Sequence, residues 1–164
     1  SSLAAFFAIP NPSLAIGVPL MANIIHTYNL GGMDALANKP TNLQSSILAA
    51  GILGLSTSGG VVPVAASILA TAFVTYWTGI TMSMTNLPPT GTSGVSYNLN
   101  PPSPSGWISD FAAMLAIPKY THLDAAIAWA KVIDDNTNGK LAGTFNYLGP
   151  APIFPPLVFA GILL

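Results

Sequence analysis

The feature that most constrains this sequence is a long stretch without charge. Residues 40–109 contain no Asp, Glu, Lys, Arg or His. An ordinary surface helix of a soluble protein turns Lys and Glu toward water. A helix built from this stretch lacks those side chains. We therefore expect it to be covered on nearly all sides by its own chain, by partner subunits or by lipid.

The centre of the stretch, residues 61–77, predicts a helix that ends before Gly79. Ser67, Thr71 and Thr75 fall four residues apart, so they form one hydroxyl stripe on that helix. Ser and Thr can bond the carbonyl four residues back, which lets them tolerate burial. We expect the stripe to face another helix or a neighbouring subunit instead of bulk water.

Composition excludes several classes of function. Charged residues make up 5% of the chain, whereas about 25% is usual. Arg, Glu and Cys do not occur, and the net charge is −1. Four scattered Lys cannot form the basic footprint that phosphate binding requires, so nucleic acid is excluded as the main ligand. A surface this neutral favours association with other subunits.

Periodicity predicts more helix than strand. Apolar spacing predicts that helices dominate and that short strands follow two of them. Pro19 lies inside the first long helix and is expected to kink it or delay its start. The predicted helices span residues 14–28, 43–55, 61–77, 107–117 and 123–134, and the predicted strands span 80–85 and 140–147, with a short extended piece at 95–99.

The order helix, helix, strand occurs twice, which predicts an internal duplication. The predicted fold class is α+β and helix-dominated, with two similar helix-helix-strand units packed as one compact domain with Pro-rich arms. If the duplication is real, the two strands are expected to pair at a pseudo-twofold axis. The single domain 1–164 then divides into an N-terminal apolar arm and helix (1–40), a first unit (41–100), a second unit (101–150) and a C-terminal apolar arm (151–164).

One motif resembles a metal site. Asp134-x-Asn136-x-Asn138-Gly139 matches the opening of a calcium loop, but Phe145 stands at the twelfth position, where a bidentate Glu is required. We interpret the segment 135–139 as an Asn/Gly turn between a helix and a strand. The histidines, His26 and His122, have no ligand or acid at the spacing of a metal site. The sequence therefore predicts no catalytic residue, no metal and no cofactor.

Aromatic side chains are the remaining candidates. Trp77, Trp107 and Trp129 sit on helices or at their ends and are interpreted as core or interface anchors. The candidate interface residues are accordingly Ser67, Thr71, Thr75, Trp77, Trp107 and Trp129. A binding module whose pocket is lined by Trp and Tyr is a further alternative.

A membrane protein is the main alternative to an assembly subunit. Residues 61–84 are long enough for a membrane span, but Pro63 and Gly79 shorten the helix below the ~20 residues that a bilayer needs. No basic residues flank it to fix its orientation. A small membrane-associated or pore-forming protein is therefore the second hypothesis.

The segment from residue 65 to 79, followed by an alternating Thr-rich strand and a Pro-rich loop, resembles a known class in style. It is similar to the small, low-charge, helix-rich accessory proteins encoded among the structural genes of tailed bacteriophages. The resemblance implies a virion protein of a tail, baseplate or capsid, without enzymatic activity. It also implies partners among the subunits of the same assembly, as a homo- or hetero-oligomer, and it carries over no site residues.

Overall fold

The computed structural model describes residues 2–10, 13–33, 38–83, 96–141, 143–144, 158–159 and 163. Within these ranges helices dominate and the strands are short and antiparallel, so the predicted α+β class is confirmed. The helices are α1 (Leu3–Ala8), α2 (Leu14–Asn29), α3 (Ser45–Leu53), α4 (Val62–Trp77), α5 (Pro104–Ala116) and α6 (His122–Thr137), and a 3-10 turn (Gly54–Thr57) follows α3. The strands are β1 (Gly32–Met33), β2 (Thr81–Ser83), β3 (Ser96–Leu99), β4 (Gly143–Thr144) and β5 (Val158–Phe159).

Helix α4 is the central element of the fold, and its prediction is confirmed. Pro63 lies in its first turn, where a missing backbone N–H costs no helical hydrogen bond. The chain leaves the helix through Gly79, whose φ of 74° suits glycine. Helix α4 packs on α3 at one side and on α5 at the other. Phe73 of α4 stacks on Trp107 of α5 with a ring separation of 4.6 Å.

Helices α3 and α4 approach each other unusually closely. A Cβ atom added to Gly51 would overlap the Cβ of Ala72 and lie 2.8 Å from its Cα. Because that neighbour is backbone, it cannot move aside as a long side chain could. The pairing of Gly51 with Ala72 therefore sets the distance between these two helices.

The six helices pack in a closed cycle. Each helix contacts the next one along the chain, and α1 packs on α6 as well as on α2. The backbone N–H of Leu3 also donates to the carbonyl of Leu163 at 3.4 Å. Large apolar side chains from every helix fill the centre; the largest fully buried ones are Trp77, Trp107, Tyr76, Phe73, Phe111, Leu3, Ile25, Leu48, Ile52, Leu69, Met82 and Ile133.

Helix limits differ from prediction at several ends. Helix α2 begins at Leu14 in spite of Pro19, so its start is not delayed, and Leu14 itself is exposed. Helix α6 begins with a capping box, in which Thr121 and Asp124 bond each other's backbone N–H. It continues past the predicted end at residue 134 as far as Thr137.

The strand order in the three-stranded sheet differs from the predicted pairing. Strands β2 and β4, one from each predicted unit, do not pair directly, because β3 lies between them in the order β2-β3-β4. Consecutive strands are the usual neighbours in a sheet, so β3, the next strand after β2, is its natural partner. The predicted order helix, helix, strand is present in both units. The residues 84–85 and 145–147 of the predicted strands lie outside the described part of the chain.

A second, two-stranded sheet joins distant parts of the chain. Strand β5 pairs antiparallel with β1, and Phe159 lies opposite Gly32. Of the predicted C-terminal arm, only residues 158–159 and 163 are described, and Phe159 is buried in the core. Among the described helices, none combines the length and the apolar character that crossing a membrane would require.

Candidate functional site

The predicted hydroxyl stripe lies on the surface of the folded chain. Ser67, Thr71 and Thr75 are all exposed and line one groove of about 490 Å³ between α4 and α3. The Oγ1 of Thr71 donates a 2.8 Å hydrogen bond to the carbonyl of Ser67. Helix α3 forms the other wall with Ile47, Ala50 and Gly51. The stripe thus borders a neighbouring helix without being covered by it, and its cover by another subunit stays a prediction.

Exposed apolar side chains surround this groove. Ile47 on α3 and Val64 on α4 are 37% and 44% exposed, and no charged residue lies anywhere in residues 40–109. The groove and its rim therefore combine apolar atoms with hydroxyl groups only. We define this surface as the uncharged face; it consists of Ile47, Ala50, Val64, Ser67, Thr71 and Thr75.

The predicted tryptophan anchors differ in their burial. Trp77 and Trp107 are fully buried, which matches the core alternative for these residues. Trp129 is only partly buried, and its ring meets the edge of Phe111 at 5.6 Å. The structure therefore does not bring the tryptophans together with the hydroxyl stripe into one surface.

His26 is bound to a buried phenol. Its Nδ1 lies 2.9 Å from the hydroxyl of Tyr76, so α2 and α4 are joined by a hydrogen bond. Burial lowers the pKa of His26 below its ordinary value. Burial also raises the pKa of the Tyr76 phenol. The amide of Asn29 is buried beside that phenol, and it has no well-aligned hydrogen-bond partner among the described residues.

The segment that resembles a calcium loop is helical for most of its length. Asp134 and Asn136 lie in the last turns of α6, and the turn comprises only residues 138–140. The predicted turn at 135–139 is thus wrong at its start, because α6 continues to Thr137, and the side chains of Asn136 and Thr137 donate to the carbonyls four residues back on the helix. In the described ranges, no three His or acidic side chains converge in a way that could hold a metal ion.

The sequence did not predict the polar cleft where α5 begins and α6 ends. It has a volume of about 470 Å³. Asn136 donates a 2.7 Å hydrogen bond to the carboxylate of Asp110, across the two helices. These residues are 26 positions apart on separate helices, so no local spacing signals their contact. The cleft is lined by Pro102, Ser103, Ser105, Gly106, Trp107, Asp110, Asp135, Asn136 and Lys140.

These two surfaces differ in the chemistry they offer. The uncharged face has hydroxyl and apolar groups, which suit contact with another protein surface. The polar cleft has carboxylates, an ammonium group and hydroxyls, which suit a hydrogen-bonding ligand. Comparisons of the sequence and fold with protein-family models, with curated proteins and with solved structures gave no match.

Proposed function

We propose that this protein is a non-enzymatic structural subunit of a multi-subunit assembly, and that the assembly is a virion. The uncharged face is the surface through which it contacts its neighbours. The single observation that carries this proposal is that a groove on the central helix pair is exposed and that none of the residues lining it is charged.

The uncharged face can be removed from water at little cost. Burying a charge without a partner is expensive, and burying a hydroxyl without a hydrogen bond is also unfavourable. The face has no charge, and the Thr71 hydroxyl already donates to its own helix. Covering Ile47 and Val64 is favourable, because it removes apolar surface from water. The balance therefore favours contact with another subunit.

Exposed apolar groups elsewhere support the same proposal. Single apolar side chains on a surface are ordinary, but an extended apolar surface marks an interaction site. Beyond the uncharged face, the α5–α6 connection exposes Ile117 and Tyr120 by 64% and 89%. Because only 5% of the residues are charged, the chain has little surface charge to keep its copies apart in solution.

The virion part of the proposal comes from the resemblance to phage accessory proteins. A subunit that is buried among neighbours needs few surface charges, which agrees with the composition. The proposed partners are protein subunits of the same assembly.

A charge placed on the uncharged face tests the interface. Thr71→Lys places an ammonium group in the groove, whereas Thr71→Val keeps the size and removes only the hydroxyl. Because Thr71 is exposed in the single chain, we expect both variants to fold with a normal circular dichroism spectrum. We expect Thr71→Lys to lower the association constant at least tenfold, measured by sedimentation velocity over a concentration series. We expect Thr71→Val to associate as the unchanged protein does.

Ala113→Lys is the matched control, because Ala113 is exposed on α5 and lies outside the uncharged face. We expect this variant to associate normally. Equal association of Thr71→Lys and the unchanged protein would show that the uncharged face is open to solvent in the assembly. The virion itself is tested by density-gradient sedimentation of the native source. The protein should migrate with the particle at a fixed stoichiometry in mass spectrometry.

A membrane-associated or pore-forming protein is the second candidate, and one observation favours it. Ile16 and Leu20 are each more than half exposed and lie four residues apart on one face of α2, and Leu20 lines a groove together with Ile9 at the end of α1. Such a cluster could enter the apolar part of a bilayer from one side. Washing with alkaline carbonate followed by centrifugation without detergent separates the candidates. A membrane protein remains with the lipid, whereas a particle subunit does not.

A further inference from the structure

The polar cleft between α5 and α6 holds a large share of the charge in this chain. Asp110, Asp135 and Lys140 all line it, although the whole sequence contains only 4 basic and 5 acidic residues. Helices α3 and α4 show that this chain can form its surface without charge. A concentration of charged groups in one concave place is therefore a feature that solubility alone does not explain.

The start of α5 contributes hydrogen-bond donors to the cleft. Ser103 is the N-cap residue, but its hydroxyl makes no cap bond and lies 2.9 Å from the hydroxyl of Ser105. The backbone N–H groups of the first helical turn therefore have no side-chain acceptor from the N-cap residue. Lys140 also lines the cleft and carries an ammonium group.

The acceptors of the cleft are held in place by α6. The Nδ2 of Asn136 donates to the Oδ2 of Asp110 at 2.7 Å and to the carbonyl of Val132 at 2.9 Å, and these two bonds orient its amide. Its Oδ1 packs against Gly106, where an added Cβ would lie 2.9 Å away. The missing side chain at Gly106 lets the two helices bring these groups together. Asp135 is oriented by its ion pair with Lys131, one turn earlier on α6.

A buried tryptophan, Trp107, closes the cleft. It forms part of the cleft wall and is fully buried, and its indole N–H has no hydrogen-bond partner within the described part of the chain. Native proteins rarely leave a buried donor unsatisfied, because the loss is comparable to a whole hydrogen bond. The indole nitrogen has almost no surface open to the cleft, so the Trp107 signal reports on changes in the wall and not on a direct bond to a ligand.

The mixture of groups identifies the class of ligand. An anion would meet the carboxylates of Asp110 and Asp135, and a cation would meet Lys140 and the positive end of the α5 dipole. A neutral hydroxyl group can donate to a carboxylate and accept from an N–H group at once. We propose that this cleft binds a small neutral polyhydroxylated molecule, namely a saccharide unit. The volume of about 470 Å³ lies within the range of small-molecule sites.

Titration with saccharides, followed by ¹H–¹⁵N NMR, tests this site. The probes are D-glucose, D-galactose and N-acetyl-D-glucosamine, each raised to tens of millimolar. The indole N–H signal of Trp107 is assigned with Trp107→Phe, and the backbone signals of Ser105 and Gly106 report on the start of α5. We expect at least one saccharide to shift these signals in a saturable manner.

Variants then locate the binding. We expect Asp110→Asn and Lys140→Gln each to weaken the apparent affinity for the saccharide at least fivefold, and the exposed turn position of Lys140 makes the second variant safe for folding. Lys39→Gln removes one charge outside the cleft and should bind normally. Sodium sulfate and calcium chloride are the competing probes. The proposal is overturned if only sulfate shifts the α5 signals, if only calcium does, or if no saccharide of the panel does.

Discussion

The hydroxyl of Tyr28 donates a 2.9 Å hydrogen bond to Oδ1 of Asp134, which links the end of α2 to the end of α6. The ring of Tyr28 also stacks on Phe159 at 5.4 Å. Burial, followed by the bond to Asp134, raises the pKa of Tyr28 far above its usual range. The phenol therefore remains a donor at any ordinary pH, and the carboxylate of Asp134 has a fixed partner.

Tyr28→Phe should destabilise the fold by about 1–2 kcal/mol, because a half-buried carboxylate loses a donor while the aromatic stacking remains. The measurement is urea unfolding, and we expect a lower midpoint with an unchanged m-value. Tyr120→Phe is the control, since Tyr120 is 89% exposed and its loss should change nothing measurable. Equal midpoints for the two variants would show that the bond to Asp134 adds no net stability.

His26 should make the stability of the protein depend on pH. Burial lowers the pKa of His26 in the folded chain below its ordinary 6.5. The unfolded chain therefore binds a proton more readily, and the free energy of unfolding must fall as pH decreases through 6.5 toward the folded pKa. Stability should be fully present above that window and reduced below it.

The measurement compares unfolding at pH 7.5 and pH 5.5 for the unchanged protein, His26→Gln and His122→Gln. We expect His26→Gln to show a clearly smaller loss of stability between the two pH values. His122 is exposed at the start of α6, so its replacement should leave the pH dependence as it was. If His122→Gln removed the pH dependence instead, the effect would come from α6 and not from His26.

Gly51→Ala should destabilise the fold, in spite of the higher helix propensity of Ala. An added Cβ would overlap Ala72, and the neighbouring Cα cannot move without shifting α4. We expect a net loss of about 1–3 kcal/mol. Gly54→Ala is the matched variant, because its Cβ would meet only the Cγ2 end of Ile68 at 3.1 Å. Thermal unfolding should lower the Tm of the first variant clearly and that of the second by little.

Pro19→Ala should stabilise the protein. Pro19 lies inside α2, where it removes a helical hydrogen bond and crowds the carbonyl four residues earlier. Because Pro19 is exposed, its replacement creates no cavity, and we expect a gain of about 1 kcal/mol or more. Pro104→Ala is the contrast, since proline at the first position of α5 is favourable. If both replacements lowered the Tm equally, the proline in α2 would have a packing role.

The elements around α4 could be predicted from sequence because their signals are local. Pro63, Gly79 and the apolar spacing between them define this helix. Such signals depend on residues within a few positions of each other, which the sequence displays directly.

Contacts between distant residues could not be predicted in the same way. The cleft depends on Asp110 meeting Asn136, and the sheet depends on β3 entering between β2 and β4. Neither event leaves a periodic pattern. The exposure of Thr71 also depends on how α3 packs beside α4. Gly51 sets the distance between these two helices, but no sequence pattern marks that role. The lack of charge therefore predicted an interface, whereas the groove that we propose for it depends on packing.

The closed cycle of helices also has a consequence for the order of folding. Helices α2 to α5 each pack on neighbours that are near in sequence, so their contacts close short loops. Helix α1 must meet α6 across more than a hundred residues, which is the largest loss of chain entropy in the cycle. That contact should form last, and α1, a helix of 6 residues, should be the first to detach in the native state. In hydrogen exchange, the amides of Phe6 and Phe7 would then exchange far faster than those of Leu69 and Phe73.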